Sequence, residues 1–417
     1  AMYYLERIID IYAREIGMDP AEVRKRNYWE AEEFPATTQV GLTMDSGRYG
    51  ENLDALLAVA DYDGLKKKRD EARAQGRLVG IGLATYVEVC GFGPSGLAGL
   101  GFSWASYNMP TAFSGSGLVR VNADGTATVI TGTGPSGQGH ETTWAQIVSD
   151  GLGIAVDDII VKHGDTAEYS IGVGTFGSRS IAVDGPAAYQ ATQRVREKAA
   201  KIAGNLLEAS PEDIRFEDGG AHVAGSPDKA VTWSEIATSA YQPHTLPEGL
   251  EGGLESHVVF SPGNATWPFG SHLAMVEVDP DTGDVEILGY WGMDDCGNVV
   301  NPMIVNGQLH GGITQGIGQA LFEEAIYDDA GNLLTASLID YPLPTASDVP
   351  SFALHRTVTP CDTNPMGVKG IGEAGTIGSA QTIVNAVVDA LSPLGIRHID
   401  MPLRPRRVWH AMQKARG

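Results

Sequence analysis

Cysteine is scarce in this chain of 417 residues: Cys90, Cys296 and Cys361 lie far apart, with no C-x-x-C pair among them. That spacing encodes neither a disulfide framework nor a zinc knuckle nor an iron–sulfur cluster. It fits a reduced, cytoplasmic protein. Basic charge is scarce as well. Lys and Arg number 29 against 52 Asp and Glu, the net charge is −23, and the longest basic run is Lys66-Lys67-Lys68-Arg69. This balance argues against a nucleic-acid partner or an anionic membrane surface. No apolar run approaches the ~18–20 residues that span a bilayer. No signal peptide opens the chain, and no fixed-period repeat or low-complexity segment interrupts it.

Glycine, in contrast, is abundant, at 53 residues. It allows close approach of a ligand to the backbone, and turns with positive φ. In "MGVKGIGEAGTIGSAQT" (366–382) one carboxylate, Glu373, sits among Gly367, Gly370, Gly372, Gly375 and Gly378. A charge on a backbone kept bare implies that something comes very close to it.

The length allows two or more domains with real cores. "MYYLERIIDIYAREIGMD" carries Leu5, Ile8, Ile9, Tyr12 and Ile16 at helical spacing, an amphipathic helix. A chain that opens inside such a helix is expected to be the C-terminal portion of something longer. Asp19 and Pro20 read as the N-cap and first residue of a second helix, and 30–50 as a loop. "LVGIGLATYVEVC" (78–90) reads as a buried strand, broken by "GFGPSGLAGLGF" (91–102). From Leu118 the pattern is α+β. "LVRVNADGTATVITG" is a hairpin on an Asp-Gly turn, followed by the helix "TTWAQIVSDGLGI" and the strand "DIIVKHGD". A long helix from Ser180 is expected to be interrupted at Gly185-Pro186. A second hairpin turning on Asp281 to Gly283 leads into two buried helices, "NPMIVNGQLHGGITQGIGQALFEEA" and "TIGSAQTIVNAVVDAL". A boundary is expected near residue 80, where helical surface gives way to strands.

Among the stretches that fit G-x-G-x-x-G are 91–96, 172–177 and 370–375. A dinucleotide fingerprint requires a strand before it and a helix after it within a βαβ unit. "DTNPMGVK" is no strand, and Glu373 would face the pyrophosphate, so a nicotinamide dehydrogenase is rejected. Four glycine-rich segments share a different design, in which a bare backbone and a few polar side chains precede a helix, where free N–H groups collect. They offer Gln138 and His140; Ser178, Arg179 and Ser180; Gln308; and Lys369 with Glu373. Singly, each side chain has a plainer role as a helix cap, a satisfied core group or an ion-pair partner. Jointly they suit a large polar ligand with anionic phosphates, gripped from several sides.

"SGQGHETTWAQIVSDGLGI", "GDTAEYSIGVGTFGSRS", "DDCGNVVNPMIVNGQLHGGITQGIGQALFEE" and "GVKGIGEAGTIGSAQTIVNAVVDAL" resemble the molybdenum-cofactor segments of the xanthine oxidase family of molybdenum hydroxylases. "EEFPATTQVGLTMDSGRYG", "YVEVCGFGPSG" and "HIDMPLRPRRVW" are similar to the large subunit of aerobic carbon monoxide dehydrogenases within it. The resemblance implies an α+β fold of mixed sheets and packed helices, in which 1–80 end a first molybdopterin-binding domain and its connection, and 81–417 form the second. It also implies a molybdenum–molybdopterin cofactor in its cytosine dinucleotide form. That cofactor holds the metal through its own dithiolene, so the protein supplies no metal ligand. By motif position, Gln138, Gly139, Phe176, Gly177, Ser178, Arg179 and Ser180 would contact pterin and phosphates, with His140 beside them. Cys296, Asn301 and Gln308 would line the cofactor, and Lys369, Gly370 and Ile371 would pass close to it.

Glu373 falls on the family's active-site glutamate, the general base, which makes Glu373 and Gln308 the catalytic candidates. The resemblance further implies a [2Fe–2S] subunit and an FAD subunit as electron acceptors, in a dimer of heterotrimers. Copper would enter only through a cysteine in a loop preceding Ala1, leaving Cys90 as a buried structural thiol. Gly372-Glu373-Ala374 resembles the organic-substrate branch instead, so carbon monoxide, an aldehyde and an N-heterocycle all stand as substrates. The alternative to a catalytic subunit is a non-catalytic cofactor-binding or assembly fragment.

Overall fold

In a computed structural model, which describes residues 1–92, 113–169 and 171–417, four helices come first. They are α1 (Met2–Glu15), α2 (Pro20–Lys25), α3 (Tyr49–Val59) and α4 (Tyr62–Ala74). The 30–50 segment is mostly irregular, with the short pair β1 (Ala36–Thr37) and β2 (Thr43–Met44). Asp19 caps α2 as its side chain accepts from the Ala21 N–H at 2.8 Å. Most of the "GFGPSG" motif, and the break after the first strand, lie outside the described residues.

The remaining elements, in chain order, are β3 (Leu78–Val87), β4 (Gly115–Val121), β5 (Ala127–Thr131), α5 (His140–Leu152), β6 (Ile159–Lys162) and α6 (Ser180–Leu206). Then come β7 (Ile214–Glu217), β8 (Gly220–Val223), β9 (Ser226–Thr232), α7 (Trp233–Ala240), β10 (Glu255–Phe260), β11 (Phe269–Val278) and β12 (Val285–Asp295). The last are α8 (Pro302–Leu321), β13 (Phe352–Arg356), α9 (Ala374–Ala390) and α10 (Pro405–Arg416).

One sheet has the order β13-β12-β11-β3, antiparallel except for β13, which runs parallel to β12. Helices α8 and α9 cover one face, while α3 and α4 cover the other. Burial on both faces explains why β3 reads as a continuous apolar run rather than an alternating one. Where α9 crosses, a Cβ added at Gly82 would lie 2.0 Å from the Thr382 carbonyl oxygen. Only a bare backbone permits that approach. A second sheet, β10-β4-β5-β6, packs on α5 and α6, and β7, β8 and β9 form a third. Among the described residues no helix is long and apolar enough to cross a membrane.

Two local expectations fail for physical reasons. Helix α6 runs unbroken through Gly185 and Pro186. Proline inside a helix costs roughly 3 kcal/mol, but Ala182, Val183, Ala187 and Ala188 around it are wholly buried, which offsets the missing hydrogen bond. Helix α1 forms as predicted, yet with its faces exchanged. Leu5, Ile8, Tyr12 and Ile16 point outward, while Glu6, Arg7, Asp10 and Ala13 are buried. The buried charges are paired. Arg24 Nε donates to Glu6 at 2.9 Å and its Nη2 to the Leu83 carbonyl at 3.1 Å, while Arg7 donates to Asn385 of α9 at 2.6 Å. Polar matching holds the buried side of α1, and its apolar stripe lies on the other side. Removing one partner of a buried pair leaves an uncompensated charge and costs about 3–5 kcal/mol. Arg24→Met should therefore lower the thermal unfolding midpoint substantially, and adding Glu6→Gln should recover part of it. Equal losses in the single and double variants would refute the charge-pairing account.

Candidate cofactor cleft

The N-termini of α5, α6, α8 and α9 converge on one cleft of ≈ 250 Å³. Each helix begins with backbone N–H groups that have no partner inside it, and each carries about half a positive charge at that end. Four such ends facing one space form a field made for an anion. Three of the four glycine-rich segments provide such ends; the fourth, 306–312 with Gln308, lies inside α8 because that helix already starts at Pro302, where Asn301 caps it.

Thirteen of the fifteen sequence-predicted residues line the cleft, from Gln138 and His140 to Glu373. The other two stand behind it. Gly139 holds the entry to α5 at φ +74°, and Gly370 lies under Ser178. Many of the lining side chains are engaged with protein. The buried His140 ring meets the Thr133 carbonyl at 3.3 Å and the Trp144 ring at 5.4 Å, and burial lowers its pKa. Asn301 caps α8, accepting from the Ile304 N–H at 3.0 Å, and donates across to Gln146 of α5 at 2.8 Å. Arg179 donates to the carbonyls of Gly174 and Phe113, both at 2.9 Å, and lies 3.6 Å from Asp184. Ser180 donates to Thr175 at 3.2 Å. These groups act as struts that fix the helix ends around the space.

Other polar groups remain open. The Gln308 amide makes no hydrogen bond to the described residues, Arg179 Nε is buried without a partner, and so is Lys369 Nζ. The Lys369 ammonium sits 3.7 Å from Asp295 and 5.0 Å over the Phe269 ring, so its charge is balanced while its donors are not used. Ile371 and the half-exposed Phe176 add apolar walls. Phe176 also receives the Arg179 guanidinium 5.5 Å above its ring. Burial pushes the Cys296 thiol up to about 12, with Asp295 and Asp294 adding to the effect. Cys296 is thus a neutral wall, and its carbonyl accepts from the Lys369 N–H at 2.7 Å. Cys90 is buried against Thr266, 3.0 Å from its hydroxyl, and among the described residues no cluster of His, Cys, Asp and Glu could hold a metal.

Glu373 stands at the N-terminus of α9 with its side chain exposed. Its backbone N–H donates to Ser178 Oγ at 2.9 Å. Ser178 takes φ +50° directly after Gly177 at +55°, a conformation costly for a residue with a Cβ and concentrated at functional sites. That turn presses on Gly370, where a Cβ would lie 2.0 Å from the Ser178 carbonyl oxygen. The close neighbour expected beside Glu373 is, at Gly370, the protein itself. The sequence reading missed Thr175 and Trp144 on the wall and the buried Glu88 behind it. A lone acid in the apolar run "ATYVEVC" is the signal that marks Glu88.

The description "Molybdopterin cofactor-binding domain" matches residues 55–350. The carbon monoxide dehydrogenase large chain of Hydrogenophaga pseudoflava is 40% identical over 417 residues, 99% of this chain and 51% of that one. The nicotine 6-hydroxylase large subunit of Paenarthrobacter nicotinovorans is 37% identical over 407 residues, 97% of this chain and 49% of the relative. The solved structure of reconstituted CO dehydrogenase from Oligotropha carboxidovorans superposes with a TM-score of 0.90 at 35% identity, covering 99% of this chain and 51% of that one. The chain thus spans about half the length of the curated relatives it matches. With a domain match over most of its residues, the chain belongs to the molybdopterin cofactor-binding domain family, on the side of the xanthine oxidase and carbon monoxide dehydrogenase large subunits.

Proposed function

We propose that this chain forms the cofactor-holding part of the catalytic subunit of a molybdenum hydroxylase, which oxidises carbon monoxide or hydroxylates a small organic substrate. The observation that carries this reading is the convergence of four helix N-termini on one cleft with Glu373 at its edge. The donor set fits a molybdopterin. Backbone N–H groups suit phosphates, and in the cytosine dinucleotide form they have a pyrophosphate to bind. The open amide of Gln308 suits the polar edge of a pterin, and no protein metal ligand is needed because the cofactor brings its own.

When bound, the cofactor supplies the two-electron oxidation and the transfer of water-derived oxygen. This chain's residues do the rest. The turn of Gly177 and Ser178, with the starts of α5 and α8, binds the anionic groups, and Gln138, Gly139 and the neutral His140 shape that end. Asn301, Ser180 and Arg179 fix the helix ends, and Lys369, Gly370 and Ile371 bring the chain past the cofactor. Phe176, Ile371 and Cys296 exclude water. Gln308 orients the reacting end, and the Glu373 carboxylate takes up the proton released during oxidation, as a general base. Electrons leave through a [2Fe–2S] subunit and an FAD subunit, in a cytoplasmic dimer of heterotrimers.

Glu373→Gln should retain molybdenum and lower kcat by about 10²–10⁴-fold, the usual worth of a general base. Full turnover with molybdenum in place would remove Glu373 from the mechanism. Gln308→Leu deletes an amide without changing bulk, and leaving its buried partner unsatisfied costs about 1–3 kcal/mol. A fall in kcat of roughly 10–100-fold at normal folding is the corresponding outcome. The described cysteines are buried, and burial raises all three thiols, so none is a ready copper ligand. Elemental analysis of the purified complex then sorts the substrate: molybdenum with stoichiometric copper identifies a carbon monoxide oxidiser, and molybdenum alone an organic hydroxylase.

A further inference from the structure

Glu88 follows the end of β3 and is 6% exposed, with both carboxyl oxygens buried and without a hydrogen-bond partner. Its backbone is tied to Pro268, whose carbonyl accepts the Glu88 N–H at 2.9 Å. Three segments meet here: a Cβ at Gly370 would lie 2.8 Å from Cys90 Sγ and 2.0 Å from the Ser178 carbonyl oxygen, and the groups that act on the Glu88 carboxyl are the Ser178 hydroxyl of the 176–180 turn and the Glu373 carboxyl at the head of α9. Among the described residues no cation offsets it. Lys369 is turned to Asp295 and Phe269, and Arg179 to Asp184 and backbone carbonyls. Beside it along the chain, Tyr86 and Cys90 are neutral groups that burial keeps protonated.

Two carboxylates side by side can only accept, and an isolated buried anion is strongly disfavoured. One proton resolves both problems, turning a repulsive contact into a charge-assisted hydrogen bond. Resting on the reading of Glu373 as the base, we propose that Glu88 is a positioning residue: a buried, protonated carboxylic acid that donates to the Glu373 carboxylate and holds it towards the cleft. Ser178 completes the arrangement. Its Oγ accepts the Glu373 N–H at 2.9 Å, and its hydroxyl also acts on the Glu88 carboxyl. Burial, foremost, pushes Glu88 up to about 7; the Ser178 hydroxyl opposes this and the Glu373 charge adds to it.

The sign of the pH effect follows. Below about 7 Glu88 is protonated and Glu373 is held; as pH rises through that value Glu88 ionises and repels it.

The test is difference infrared spectroscopy of the oxidised holoenzyme, taken from acid to alkaline pH. A carboxylic-acid C=O band should disappear as pH rises through neutrality and be absent throughout in Glu88→Gln. In Glu373→Gln it should titrate at lower pH, because the like charge is gone. In parallel, wild-type kcat should fall about tenfold per pH unit beyond the alkaline midpoint. Glu88→Gln, which mimics the protonated acid, should keep its molybdenum and its acid-side kcat and lose that alkaline limb. A band unaffected by Glu88→Gln, a titration that Glu373→Gln does not move, or an alkaline limb retained in Glu88→Gln overturns the proposal. If Glu88→Gln fails to accumulate, the wild-type and Glu373→Gln titrations decide it alone. Full activity in Glu373→Gln would refute the base assignment instead, and the infrared titration would still report whether Glu88 holds the proton.

Discussion

The site depends on how closely α9 lies on β3. Thr382 reaches the strand only because Gly82 has no side chain, and two polar residues of the helix lock the contact. Asn385 donates to the Leu83 carbonyl at 2.9 Å, and Asp389 accepts the Ile81 N–H at 2.9 Å. Asp389 also holds Arg73 of α4 at 2.9 Å, and Asn385 holds Arg7 of α1 at 2.6 Å. One helix therefore joins the sheet to the helices on its far face and to the start of the chain. Its first residue follows Glu373, so that carboxylate inherits the rigidity of the whole contact. On its other side α9 packs against α8, which brings Gln308 close to Gly372.

The cleft divides its labour between backbone and side chains. Residue types that look like ligand contacts, among them Arg179, Asn301 and His140, are turned to carbonyls, helix caps and a neighbouring ring. The groups they leave facing the space are backbone N–H donors at four helix ends. A site of this kind is preorganised, because its donors belong to elements fixed by packing rather than to mobile side chains.

The sequence revealed much of this and hid the rest for definable reasons. The buried strand at 78–87, both hairpins and the helices after Gly139, Asn301 and Glu373 follow from periodicity and caps, which are local signals. The gathering of Gln138, Arg179 and Glu373 was readable as a shared local design, whereas Gln308 reaches the same cleft from within α8, past its start. The inverted α1 was hidden because its charges find partners in α2, β3 and α9. Those contacts are remote in the chain, so the apolar stripe was the only visible guide. The glycines around Glu373 were ambiguous in the same way, since Gly370 makes room for Ser178, a neighbour nearly two hundred positions away in the chain.

The helix ends at the cleft belong to a protein whose net charge is −23. The two fields differ in range. Repulsion from the surface acts out to about a Debye length, roughly 8 Å in physiological salt, whereas the helix ends act only within their last turn. An anion approaching from solution is slowed before it is attracted. Once seated, it meets only the attractive term, from donors that cannot swing away. Such a field favours retention over capture: an anion enters slowly, is helped to enter by salt, and leaves more slowly than it would from donors on mobile side chains.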